Sequence, residues 1–382
     1  MYSFFNILLS LLVYLPGNAV MNFSELAASD KRDSLMPVPA KTNTVLDYGK
    51  ADVTSLLSID AIVRSNVAAK GTLGFSQKGR MIEAWYFPGT SNKKALVIGG
   101  VHGSELSSIE VARTLIKQLQ QQKNYYSVVV IPCLFPDNAE AAKADAAAIG
   151  SMNNTGRYSH QTAPDPNRQM PSLGKAFNPD QPVDHLGRLI EQENQLLLDL
   201  ITQFSPERIV NIHAIRDLTH AGVYADPRTN SRGIALGFES DSSLAVGMAA
   251  YIHQGGGYVP GNKIAANASA LYYKDPVAAP AGTMQKRNTA GSSLPMNRGR
   301  GISLGSWAST AVEDDVYPAG NREAIRLITM EFPGYKAPMH YADPMQQQHF
   351  GKQVKLYASS IFQVFLGDQY AEDVTKNISQ RQ

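Results

Sequence analysis

The run Ala95–Val101 is continuously apolar and ends in glycines, and it does more than any other feature to limit the folds open to this chain. A strand with one face in water alternates apolar and polar residues, whereas one buried on both faces reads as an unbroken apolar run. Ser127–Phe135 and Arg208–His213 read the same way, and Arg326–Phe332 is the last clear strand. Met81–Phe87 reads as a further strand, closed by Pro88-Gly89. Between them lie helical patterns. Ile109, Ala112, Ile116 and Leu119 share one helical face, and Leu196, Leu197, Leu200, Ile201 and Phe204 share another that Pro206 ends. Leu244–Ile252 and Val354–Phe365 read as two more helices. Strand–helix alternation of this kind predicts an α/β fold with helices on both faces of a sheet.

The chain has 382 residues, enough for one large domain or two smaller ones. Thirty-five Lys+Arg against 33 Asp+Glu leaves a net charge of +2, which argues against a nucleic-acid partner or a basic membrane-binding surface. Lys286-Arg287, Arg298 and Arg300 read as solvated loop charges. Cys133 is the only cysteine, so no intramolecular disulfide is possible, and its apolar context predicts a buried, inert thiol. Phe4–Leu15 is nearly all apolar and is followed by Gly17 and Ala19. That run is too short to span a bilayer and fits a secretory signal at residues 1–19, although no Lys or Arg precedes it. The expected organisation is therefore a signal (1–19), a lead-in segment (20–75) and a catalytic domain (76–382) interrupted by an insertion around 255–300. The product would be exported to the periplasm or secreted, with no stable membrane insertion after cleavage.

Gly99-Gly100-Val101-His102-Gly103-Ser104-Glu105 sits where a strand gives way to a helix. Ligands of open α/β sheets bind beyond the carboxyl ends of the strands. A helix starting near Gly103 lets His102 and Glu105 point into that crevice, and imidazole and carboxylate both suit zinc. His213, ending its strand, is the expected third ligand, leaving one coordination position open as in catalytic sites. Glu331, a carboxylate within an apolar strand, is the expected general base. Asp165 can accept the second ring N–H of a metal-bound histidine. Arg168 offers a bidentate fork to a carboxylate, and Arg157 is a candidate to stabilise an oxyanion.

Taken in order, His102-x-x-Glu105, Asp165-x-Asn167-Arg168, strand-end His213 and Thr329-x-Glu331 resemble the zinc carboxypeptidases of the carboxypeptidase A type. Ser303-Leu304-Gly305-Ser306-Trp307 is similar to a stretch of the bacterial murein peptide amidase branch. The resemblance covers about residues 80–335. It implies a three-layer α/β/α sandwich around a mixed, mostly parallel sheet and one Zn2+ per chain held by His102, Glu105 and His213. It also implies a water activated by Glu331 and assisted by Arg157, with Asn167 and Arg168 on a substrate's free carboxylate and Asp165 supporting His102. The implied substrate is a peptide with a free carboxylate, and export adds peptidoglycan-derived peptides as its source. Phe135-Pro136-Asp137-Asn138 stands where the family has Asn-Pro-Asp-Gly, and Tyr272, Tyr273 and Tyr317 compete for the role of the family's mobile tyrosine. Two alternatives stand beside this reading. One is an amidohydrolase of the aspartoacylase or succinylglutamate desuccinylase type, acting on N-acyl amino acids. The other is an inactive, wall-binding relative.

Overall fold

The computed structural model describes residues 57–236, 239–262 and 299–370, and the structural statements below concern these residues. The expected signal and most of the expected insertion lie outside them, as do Tyr272 and Tyr273.

The chain enters through a short helix α1 (Ile59–Ser65), followed by strands β1 (Ala69–Phe75), β2 (Met81–Phe87) and β3 (Lys94–Ile98). Then come α2 (Leu106–Leu119), β4 (Ser127–Ile131), α3 (Pro136–Ala144), α4 (Gln192–Phe204) and β5 (Arg208–Ile215). The last elements are β6 (Gly222–Ala225), α5 (Glu239–Gln254), α6 (Leu304–Ala308), β7 (Arg326–Pro333) and α7 (Pro344–Ser360). The seven strands form one mixed sheet in the order β1-β2-β4-β3-β5-β7-β6. Its centre, β4-β3-β5-β7, is parallel, and β1, β2 and β6 add antiparallel edges.

Side-chain alternation divides the central strands between two cores. Ala95, Val97, Val128, Val130, Val210 and Ile212 pack on one face with residues of α2, α5 and α7. Leu96, Ile98, Val129, Ile131, Ile209 and Leu327 pack on the other with residues of α1, α4 and α6. At roughly 1.5–3 kcal/mol for each large aliphatic side chain removed from water, these two faces are the main stabilising feature. The helices on both sheet faces expected from the strand–helix alternation, and the three layers the resemblance implied, are therefore present.

The chain order fixes where a ligand can enter. From β3 the path goes through α2 to β4 on one side, then through α4 to β5 on the other side of β3. The two crossovers lie on opposite faces, as right-handed connections running in opposite directions require. Beyond the carboxyl ends of β3 and β5 the connections part and leave a crevice, the usual ligand position in such sheets.

Several elements differ from the sequence expectation. Residues 57–75, assigned to the lead-in, supply α1 and the edge strand β1, so the expected boundary at 75/76 falls inside a β-hairpin. Gly71 and Gly74 in β1 weaken its strand signature. Residues 136–144, for which the apolar pattern predicts no helix, form α3, with Pro136 at its first position. Helix α7 begins at Pro344, ten residues before the apolar pattern, because its first turns are exposed and polar. Helix α4 does end where Pro206 forces it, with Ser205 as a left-handed cap. Cys133 is half-buried rather than fully buried as expected, and packing around its thiol still pushes it up to about 12.

Gly100 ties β3 to the crevice. Its φ of +62° is left-handed, and a Cβ there would lie 2.9 Å from Cys133 Cα. Gly100→Ala combines a left-handed penalty of about 1–2 kcal/mol with overpacking of about 1–3 kcal/mol. We expect thermal unfolding about 5–15 °C lower, by the usual 2–4 °C per kcal/mol for a domain this size. Gly187→Ala, at a φ of +75° with nothing within 4 Å of its Cβ, incurs only the backbone part. Equal losses at the two sites would refute the packing argument.

Candidate metal centre

Beyond β3 the backbone stays tied to β4, with Gly99 N–H donating to Ile131 and Leu134 N–H to Gly99, and it then turns into α2. Gly103 passes so close to α3 that a Cβ would sit 2.2 Å from Ala139 N, so no side chain fits there. Helix α2 starts at Leu106, and Glu105 is its N-cap residue rather than a residue of its first turn. Ser108 fixes the corner, its Oγ donating to Glu105 O at 2.7 Å and accepting from Gly100 N–H at 3.2 Å. This turn brings His102 and Glu105 to the same side, with Nδ1 and Oε1 2.9 Å apart.

The third residue arrives on β5. The strand runs to Ile215, so His213 lies inside it rather than at its end. Its side chain shares the α4/α6 face of the sheet with Ile209, two pleats back. His213 Nδ1 lies 3.2 Å from Glu105 Oε2, and the His102 and His213 ring centroids are 5.1 Å apart. Ligand atoms of His102, Glu105 and His213 all lie within 4.8 Å of one another, and the three residues are 4%, 2% and 4% exposed.

The surrounding contacts dictate what these atoms can do. Asp165 Oδ1 is 2.8 Å from His102 Nε2 and also accepts from Asn167 N–H at 2.8 Å. A carboxylate at Nε2 holds the ring proton there, which leaves Nδ1 with its lone pair facing the Glu105 carboxylate. Two acceptors at 2.9 Å need a proton or a cation between them. Burial and Arg157 lower His102, but Asp165 and Glu105 outweigh them and its pKa is raised. Burial pushes Glu105 up, yet the imidazoles of His102 and His213 hold it well below the usual carboxylate range. Asp165 is likewise held low, against burial, by His102 and Arg157. Two imidazole nitrogens and a carboxylate, buried and drawn together around a position that favours positive charge, fit a zinc ion.

Arg157 comes from the loop after α3. Its Nη1 donates to Glu105 Oε1 at 2.7 Å and to the Tyr335 hydroxyl at 3.2 Å, and its Nη2 lies 3.7 Å from Asp165 Oδ2. Asn167 Oδ1 accepts from Leu304 N–H at 3.0 Å, placing its Nδ2 3.3 Å from His213 Nε2. Arg168 Nη1 donates to Asn167 O at 2.6 Å. Glu331 pairs in register with His213 across β5 and β7, so the two side chains stand on the same face. Burial pushes Glu331 up to about 7, with Glu105 adding to the effect and the imidazoles opposing it.

All eight residues singled out in the sequence line one cavity of about 270 Å³. Sequence reasoning missed Tyr335 and Asp226, which line it too. Tyr335 follows Glu331 by four residues, beyond the strand end, and its ring lies under the Arg216 guanidinium at 4.6 Å. Tyr317, which the sequence put forward, is not among the lining residues. A larger cavity of about 810 Å³ lies near the opposite strand ends, around Arg208 and Arg326, and contains none of the ligand set.

Removing the Asp165 carboxylate releases the His102 tautomer without touching a ligand atom. Asp165→Asn is expected to weaken zinc binding about 10–100-fold, read by competition with a chromogenic chelator. Unchanged affinity would show that Asp165 serves only the turn at Pro166.

No family profile matches the sequence, and no curated protein matches it. Solved structures to which the chain is similar include carboxypeptidase A of Helicoverpa armigera, at 13% identity and a TM-score of 0.41, covering 78% of this chain and 70% of that one. The murein-tripeptide amidase of Escherichia coli O157 is similar at 18% identity and a TM-score of 0.38, covering 76% of this chain and 90% of that one. Bovine thrombin-activatable fibrinolysis inhibitor is similar at 11% and 0.40, covering 80% and 98%. Each likeness is distant, and what the centre can do rests on its own atoms.

Proposed function

We propose that the protein is a zinc-dependent hydrolase that cuts a peptide amide bond near a free carboxylate. One observation carries this reading: the Glu331 carboxylate accepts no hydrogen bond and makes no ion pair among the described residues, yet it faces the same buried cavity as the three ligand side chains. A carboxylate in that position has no structural partner to satisfy and is available to take a proton.

His102 Nδ1, His213 Nδ1 and one Glu105 oxygen would hold the ion. When bound, zinc supplies Lewis acidity, polarising a carbonyl oxygen and lowering the pKa of water. Glu331 then takes the proton from the attacking water and returns it to the departing amine nitrogen. Arg157 places guanidinium N–H groups beside the cavity, where they can donate to the carbonyl oxygen as it gains charge. Asn167 and Arg168 present an amide and a guanidinium from one tight turn, a pair suited to a carboxylate. Asp165 holds His102 in the required tautomer. Small acylated amino acids offer the same carboxylate and amide, so the aspartoacylase-type reading differs in substrate rather than in chemistry. The resemblance of Ser303–Trp307 to the amidase branch favours peptides, and the expected signal favours wall-derived ones.

Glu331→Gln tests the reading. Zinc content, measured by elemental analysis, should stay near one per chain while turnover of a peptide substrate falls by about 10²–10⁴-fold. A base works only when deprotonated, so activity falls as pH drops through the Glu331 pKa. In the wild type the acid limb should lie at or below about 7, because a dication nearby lowers that pKa further. Full activity of Glu331→Gln would eliminate this mechanism.

A further inference from the structure

The cavity of about 810 Å³ lies where the central strands begin, and the hydrolase reading does not use it. Arg208 opens β5 and Arg326 opens β7, paired in register, while His213 and Glu331 pair five residues further on. At a rise of about 3.3 Å per residue the two ends are roughly 17 Å apart, too far for one small ligand to reach both. The charged lining is mainly basic: Lys93, Arg208, Arg228, Arg322 and Arg326 stand against Glu207 and Glu323.

The basic groups are unevenly paired. Lys93 meets Glu207 at 3.0 Å, and Arg228 and Arg326 converge on Asp241 at 2.8 and 2.6 Å. Arg208 and Arg322 have no carboxylate within ion-pair distance among the described residues. Arg208 is 1% exposed, lies against the Tyr126 ring at 4.5 Å and donates from Nη1 to Phe365 O at 2.7 Å, and its Nη2 has no partner. Arg322 lies over the Trp307 ring at 4.2 Å and donates to the carbonyls of Trp307, Ala308 and Thr310, and its Nε has no partner. Carbonyl oxygens satisfy hydrogen bonds but cancel no charge. Burial accordingly pushes Arg322 down to about 9 and lowers Arg208 as well.

A buried guanidinium without a counter-charge is costly, and an anion that reaches it removes that cost. Tyr126 and Phe365 belong to the core on the α2/α5/α7 face, and Trp307 to the core on the α4/α6 face. The two guanidinium groups therefore approach the strand starts from opposite sides of the sheet. Two uncompensated cations match one phosphate dianion, and guanidinium forks suit pairs of phosphate oxygens. We propose that this cavity is a second ligand site, independent of the metal centre, which binds a phosphate group through Arg208 and Arg322. A phosphate fills only a small part of the space, and Tyr125, Ile201 and Pro206 offer apolar walls to an attached organic group.

The test is calorimetric titration of the full chain, at fixed ionic strength, with inorganic phosphate and with phenyl phosphate. The wild type should bind at least one of them, and Arg208→Gln and Arg322→Gln should each weaken binding about tenfold to a hundredfold. Ala319→Glu alters an exposed residue of the lining and spares the core, and its negative charge should weaken binding too. Phenyl phosphate binding more tightly than phosphate supports a phosphomonoester as the ligand, and phosphate binding at least as tightly supports the free ion. No binding of either overturns the proposal, as does binding that survives all three substitutions. Binding lost in Arg168→Gln but kept in Arg322→Gln puts the anion in the metal cavity and overturns it as well. None of these measurements involves turnover, so failure of the hydrolase reading would leave the result standing.

Discussion

The arrangement of this centre follows from a single buried carboxylate. Strand β5 pairs with β3 only from Arg208 to Asn211, because β3 ends at Ile98 and its continuation stays with β4. Past Asn211 the β3-facing side of β5 has no strand to receive its N–H groups, and a buried N–H without a partner is costly. Ala214 N–H is one of these, and it donates to Glu105 Oε2 at 2.9 Å. The other oxygen of Glu105 accepts from Arg157. One side chain thus closes the gap that the switch in strand order opens. In doing so it fixes the separation of β5 from the β3–α2 corner, and with it the separation of His213 from His102. Without that carboxylate, Ala214 N–H would be orphaned, Arg157 would lose one partner, and His102 and His213 would lose the group they share.

The same dependence explains which parts could be read from the sequence. The apolar runs of β3, β4, β5 and β7 announced strands buried on both faces, since burial on two sides leaves no room for polar alternation. His102, Glu105, His213 and Glu331 stood out together because polar or charged groups within or just beyond such apolar runs are unusual. Asp165, Asn167 and Arg168 were legible only as an ordered motif, since their loop carries no periodicity. Tyr335 and Asp226 were not legible. Each lies just past a strand, where polar and aromatic residues are ordinary, and only the pairing of β7 with its neighbours brings them to the cavity. Helix α3 and the first turns of α7 escaped for a different reason. Local propensity and a proline at N1 carry them, not an apolar face.

Charge accounts for why these groups belong together. The cavity gathers four carboxylates, Glu105, Asp165, Asp226 and Glu331, against two guanidinium groups, Arg157 and Arg168. With neutral imidazoles and ionised acids the lining carries a surplus of two negative charges in a buried space. The surroundings push the same way: Glu331 and Asp226 are shifted upward mainly by burial, and His102 is raised by its two carboxylates, so each keeps its proton to a higher pH than usual. On the proposed reading, a dication held by His102, Glu105 and His213 would remove that surplus and draw the Glu331 and Asp226 carboxyls back down, so metal binding would itself ready Glu331 as a base.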